Sequence, residues 1–233
     1  MLLVACAEER ASSPARPEPV AAPSVSSTPG ALTLVVLGSS TAAGIGPKDP
    51  QSAWVERYRR HLSERYPRHQ LVNLALGGYT TYHVQATGFE PPTGRPRPDP
   101  RRNISAALAL RPLAILVNLP SNDVAESIPV GEQLSNYERL AQLAEQARVA
   151  LWVTTPQPRR LSAEQTAAQT HVRDALAARF VPRVLDFWTP FADERGRIRP
   201  ELDAGDGVHL NDAAHALLAS AVANAQIPAS ILP

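Results

Sequence analysis

The sequence has almost no cysteine. Cys6 is the single one in 233 residues, so neither an internal disulfide nor a Cys-based zinc cluster can form. It has little net charge either. With 23 Lys+Arg against 22 Asp+Glu the formal charge is +1, which gives no electrostatic argument for nucleic acid or an anionic surface. No apolar run reaches the ~18 residues of a membrane-spanning helix, and no repeat appears at solenoid periods. What remains fits one α/β domain of ordinary size with a tail, long enough to bury a core without staples.

Proline is abundant instead: 23 residues, about twice the usual ~5%. The excess is concentrated. Five prolines fall in Pro14–Pro29 and five more in Pro91–Pro100. The first stretch is Ala/Ser/Pro-rich without hydrophobic period, so residues 1–30 read as a lipobox-like start and a flexible tether. The second lies inside the folded region, residues 31–233, where a loop that long usually covers or walls a functional site.

Leu3-Val4-Ala5-Cys6 resembles the lipobox of bacterial lipoproteins, which implies a lipid on Cys6 and a place in the bacterial cell envelope. The positive and longer apolar regions of a signal peptide are missing before it, so the start reads as truncated or assigned downstream. The alternative is an incidental cysteine.

From Ala31 the pattern is regular. LTLVVL (32–37), QLVNLA (70–75), LAILVN (113–118), VALWVT (149–154) and a short run at 183–186 read as strands. Helices are expected over 52–66, 105–110, 132–148, 162–180 and 211–225, with Ser162 and Asn211 or Asp212 as caps. Strands alternating with helices predict a doubly wound parallel sheet, whose ligands sit at the carboxyl ends of the strands.

Those ends carry the chemistry. Gly38-Ser39-Ser40-Thr41-Ala42-Ala43-Gly44 follows the first strand. A P-loop needs Lys-Ser/Thr after its last glycine, and Ile45-Gly46 stands there instead. What is left is a serine at a strand-to-helix turn, where N–H groups favour an anion, although a plain helix cap would look the same. Gly77-Gly78 follows the second strand and lets backbone approach a ligand. Asn122, after the third strand, offers an amide N–H or an Asx turn. Asp206 precedes His209 by three residues, so its carboxylate can hold Nδ1–H and leave Nε2 as a base.

GSSTAAG, NLALGGYTT, PSND and DGVH resemble, in order and approximate place, the four sequence blocks of the SGNH/GDSL hydrolases. The resemblance spans residues 31–225. It implies a flavodoxin-like three-layer α/β/α sandwich with a mostly five-stranded parallel sheet, and ester hydrolysis with no cofactor and no metal. Carried onto this sequence, it makes Ser40 the nucleophile, His209 the base and Asp206 the orienting acid. The oxyanion hole would comprise the N–H groups of Ser40 and Gly78 and the Asn122 amide. Ser39 replaces the usual aspartate, Ala75 a frequent glycine and Pro120 the usual glycine, and none of these removes a catalytic group. Tyr82–Asn103 reads as an insertion beside the site, and Tyr79, Thr80 and His83 are candidate substrate contacts.

The expected substrate is a small-molecule or carbohydrate ester, with an acetylated carbohydrate favoured. No nucleic-acid partner is expected, and no membrane contact except through Cys6. Competing readings are a lysophospholipase or thioesterase on the same site, or a non-catalytic surface-binding module. A divalent-metal reading of Asp206, His209, Asp212 and His215 competes with helix capping by Asn211-Asp212 and packing of His215.

Overall fold

Five short runs rich in Val, Leu and Ile become buried strands, because a parallel sheet covered on both faces leaves no wet side for polar residues. In the computed structural model, which describes residues 32–230, these are β1 (Leu32–Gly38), β2 (His69–Asn73), β3 (Ala114–Asn118), β4 (Ala150–Thr154) and β5 (Val184–Leu185). All pairings are parallel and the order is β2-β1-β3-β4-β5. That is the flavodoxin-like order. The expected tether and Cys6 lie outside the described residues.

Alternate strand residues face opposite layers. Leu34 and Val36 meet Trp54, Tyr58 and Leu62 of α2 (Trp54–Arg65) and Leu218 and Val222 of α7 (Asp212–Asn224). Val35 and Leu37 meet Ile104 of α3 (Ile104–Ala109), Leu140 of α5 (Val130–Gln146) and Leu176 of α6 (Ala163–Arg179). Two single-turn helices, α1 (Ser40–Ala43) and α4 (Asn122–Ala125), follow β1 and β3. The expected elements all form, with ends shifted by at most two residues. Ser162 caps α6 in a full capping box with Gln165, and Asn211 caps α7 through the Ala214 N–H. Trp54, Trp152 and Trp188 are all buried.

The proline-rich insertion between β2 and α3 has no regular structure but is braced throughout. Arg95 forms a two-pronged ion pair with Glu132 of α5 (2.7 and 3.0 Å), and the Tyr82 hydroxyl donates to the same carboxylate at 2.5 Å. Gln85 donates to the carbonyls of Thr81 and Asn136. The segment thus lies along α5 and the loop after β2.

Candidate active site

The order of the sheet reverses between β1 and β3, and the loops leaving those two strands carry Ser40 and Asn122. Their approach is close because Gly38 has no side chain. A Cβ there would lie 2.6 Å from the Asn118 carbonyl oxygen and 2.8 Å from Ala42 Cβ. The Ser39 N–H donates to that same carbonyl at 3.1 Å, which fixes the turn presenting Ser40 at the start of α1. Among the described residues, the N–H groups of Ser40 and Gly78 donate to no protein acceptor. Gly78 sits at φ 84°, in the left-handed region that a glycine reaches most readily. A Cβ on its neighbour Gly77 would lie 3.9 Å from Ser40 Cβ, so this loop borders the serine.

Asp206 and His209 lie on the loop before α7. Asp206 Oδ1 accepts the N–H groups of Val208 and His209, both at 2.8 Å, and Oδ2 faces His209 Nδ1 at 2.6 Å. Desolvation pushes this carboxyl up, but the bonds from His209 and Val208 together outweigh it and hold it at about 2. A permanently ionised carboxylate on Nδ1 makes that nitrogen the N–H bearer and leaves Nε2 as the basic one.

The histidine loop is seated directly on the serine turn. The Ile45 N–H donates to the Ser40 carbonyl at 2.9 Å. The next residue, Gly46, has φ 121°, and a Cβ on it would fall 2.1 Å from the Leu210 carbonyl oxygen and 3.2 Å from His209 Cβ. A second tie runs through Gln157, after β4. Its Oε1 accepts from the Thr41 hydroxyl at 2.7 Å, and its Nε2 donates to the Val208 carbonyl at 3.0 Å. Gln169 of α6 clamps the Gln157 carbonyl at 2.5 Å. The direct bond from Ser40 Oγ to His209 Nε2 is not formed among the described residues; their two loops touch through Gly46 and Gln157.

Asn122 is held in one orientation. Its Oδ1 accepts from Arg159 Nη1 at 3.2 Å, and a guanidinium can only donate. Its Nδ2 therefore points at Ser39 Oγ (2.7 Å) and the Tyr79 carbonyl (3.0 Å). Behind it, Asp123 accepts two contacts from the Thr81 N–H and one from the Thr81 hydroxyl, which ties the loop after β3 to the loop after β2. Burial raises Asp123 to about 6 against the pull of those bonds.

The three expected substrate contacts, Tyr79, Thr80 and His83, pack on one another. Thr80 is fully buried, and both its N–H and its hydroxyl meet His83 Nδ1, so it positions the imidazole and presents nothing to a ligand. Tyr79 is also buried; its hydroxyl donates to Asp99 of the insertion at 2.5 Å and its ring stacks on His83 at 4.6 Å. Of the three, only His83 is partly exposed. The every-third-residue run does not become a shared site. His215 is buried, and its Nδ1 accepts the Trp54 N–H at the start of α2 (3.0 Å), while Asp212 accepts the Lys48 N–H. Among the described residues no group of three or more His, Cys, Asp or Glu is arranged to hold a metal. Gln157 and Arg159 carry more of the architecture than their sequence positions indicated. The one signal was their place just after a strand's carboxyl end.

A family model described as GDSL-like lipase/acylhydrolase matches residues 36–217. No curated protein matches by sequence. Solved structures do share the fold. The psychrotrophic esterase EstA from Pseudoalteromonas sp. superposes with a TM-score of 0.61 at 16% identity, over 83% of this chain and 95% of that one. The acetyl xylan esterase AlAXEase gives 0.63 at 16%, over 84% and 100%. A two-domain esterase active on acetylated mannans gives 0.58 at 17%, over 87% of this chain and 50% of that one.

Proposed function

The chain belongs to the GDSL-like lipase/acylhydrolase family, and from that premise we propose that it hydrolyses carboxylic esters through an acyl-enzyme on Ser40. The carrying observation is the convergence of two unpaired N–H groups, Ser40 and Gly78, with a carboxylate-oriented histidine seated on the serine turn. Ser40 Oγ attacks the carbonyl carbon while His209 Nε2 takes its proton. The tetrahedral intermediate then collapses, the C–O bond to the alcohol breaks, and His209 returns the proton to the leaving oxygen. Water repeats the sequence on the acyl-enzyme, with His209 again the base, and releases the acid. Asp206 orients the imidazole throughout and stabilises the imidazolium while it exists. The oxyanion takes the two N–H groups and displaces Ser39 Oγ from Asn122 Nδ2, because an anion is the stronger acceptor. The Ser40–His209 bond closes with substrate, as such bonds commonly tighten on binding.

The favoured substrate is an acetylated carbohydrate. The support is that neighbours of this fold include an acetyl xylan esterase and an esterase active on acetylated mannans. An acyl-length series tests this: loss of activity beyond about four carbons favours deacetylation, and a long-chain optimum favours a lysophospholipase or thioesterase. The catalytic reading predicts that Ser40→Ala lowers aryl acetate hydrolysis by about 10⁴-fold or more and that EDTA leaves the wild type active. Undiminished turnover by Ser40→Ala overturns it. The tether and lipobox-like start support attachment through Cys6 at the cell envelope, which an unmodified Cys6 in the native protein, read by mass spectrometry, would refute.

A further inference from the structure

Arg159 lies on the loop between β4 and α6, half-buried at the rim of the site. Its only hydrogen bonds among the described residues run from one nitrogen, Nη1, to Asn122 Oδ1 at 3.2 Å and to Ser121 Oγ at 3.5 Å. Both acceptors are neutral. Among the described residues, Nε and Nη2 donate to no protein group and no carboxylate lies within ion-pair distance.

The nearby acidic groups do not answer this charge. Asp206 spends Oδ1 on two backbone N–H groups and Oδ2 on His209. Glu126, at the end of α4, forms no ion pair among the described residues. The neighbouring Arg160 is different: it is exposed, and its Nη2 is spent on the Asp206 carbonyl at 3.0 Å. Burial lowers the Arg159 pKa from its ordinary value, against the fields of Asp206 and Glu126. A half-buried cation is costly unless something pairs with it. The guanidinium fork is suited to two-pronged recognition of a carboxylate or phosphate.

We propose that Arg159 is a specificity residue of this site: it recognises a second, anionic oxygen group, carboxylate or phosphate, carried by the ester substrate. The inference rests on the ester-hydrolase reading. The scissile carbonyl lies at Ser40, Gly78 and Asn122, and Asn122 is the residue Arg159 already touches. An anionic substituent on the same molecule then meets the unused edge of the guanidinium. For a carbohydrate ester this means an acidic sugar.

The test compares three aryl acetates of matched leaving group: 3-acetoxybenzamide, 3-acetoxybenzoate and 3-acetoxyphenyl phosphate. In the wild type, kcat/KM for at least one anionic ester exceeds that for the amide, and the advantage shrinks as NaCl is raised. The larger advantage identifies the anion. Arg159→Gln lowers the anionic-to-neutral ratio by about tenfold or more, a loss expected for a charge-assisted bond, and Arg159→Lys restores part of it. If Arg159 only orients Asn122, Arg159→Gln slows all three esters equally and the ratio stays put, which overturns the proposal. Should Arg159→Gln fail to fold, a wild-type ratio near one or insensitive to salt overturns it as well. Failure of the ester-hydrolase reading looks different: none of the three is cleaved, or cleavage survives Ser40→Ala.

Discussion

The side of the site that carries Ser40 and Asn122 is buried and cross-braced, whereas the side that carries Asp206 and His209 is a loop facing solvent. Thr41, Gln157, Thr81 and Asp123 each lie below 6% exposure and hydrogen-bond to one another's loops. The Asp206 side chain, by contrast, is 51% exposed and depends on N–H groups of its own loop. The two halves meet at Gly46 and Gln157. The division suits the proposed mechanism. Oxyanion donors act only if they stand still before charge develops, which favours the braced side for Ser40 and Asn122. A base that passes its proton to a departing alcohol is served by the more open side.

Breaking the rigid half costs most. Asn122→Ala should lower kcat for an aryl acetate by roughly 10²–10³-fold, with the Asp206–His209 pair intact; a loss under threefold would remove Asn122 from the oxyanion hole. Next comes the seam. In Gly46→Ala the new methyl meets the Leu210 carbonyl at 2.1 Å, so the histidine loop must shift. A shift of about 1 Å costs about 10²-fold in kcat, measurable alongside Ser40 labelling by a fluorophosphonate to show that the serine turn survives.

Gln157→Ala leaves the Thr41 hydroxyl and Val208 carbonyl without this partner. A stability loss of about 1–3 kcal/mol by urea titration is expected, with kcat down about tenfold and KM nearly unchanged. A change in KM alone would mean that Gln157 touches substrate and does not tie the halves together.

The smallest effect concerns stability and not turnover. Burial lowers His215 to about 4, although the field of Asp212 opposes it. Unfolded, the group returns to its ordinary ~6.5, so between these values the unfolded chain binds the extra proton. The stability it contributes is therefore complete above pH 6.5 and is lost as pH falls toward 4, a loss on the order of 3 kcal/mol. Asp123, raised to about 6, contributes the opposite slope over part of this window, so the test is a difference: His215→Asn keeps an acceptor for the Trp54 N–H and should lose less stability than the wild type between pH 6.5 and 4. Wild-type and His215→Asn curves that run parallel through that window would contradict the assignment.

The layers were legible in the sequence because buried parallel strands are continuous apolar runs, and the helices because Trp54, Tyr58 and Leu62 repeat every four residues. Ser40, Gly78, Asn122, Asp206 and His209 stood out because each follows a strand or precedes a helix in a short motif. Gln157 and Arg159 did not, since their roles are side-chain contacts 116 and 37 residues away in sequence. Gly46 carries no local signal of its crossing with Leu210. Thr80 lies two residues from the exposed Gly78 and is itself fully buried, because closeness in sequence says nothing about which way a side chain faces. The proline-rich stretch was visible in composition, but its bracing by Glu132 and Asn136 of α5 depended on packing that composition does not encode.

The central claim is that Ser40, on the rigid side, is the nucleophile. The most direct measurement is peptide mapping by mass spectrometry after reaction with a fluorophosphonate. One adduct on Ser40, abolished in Ser40→Ala and formed far more slowly in His209→Ala, is the predicted result. An adduct on Ser39, or none on a protein that hydrolyses esters, would contradict it.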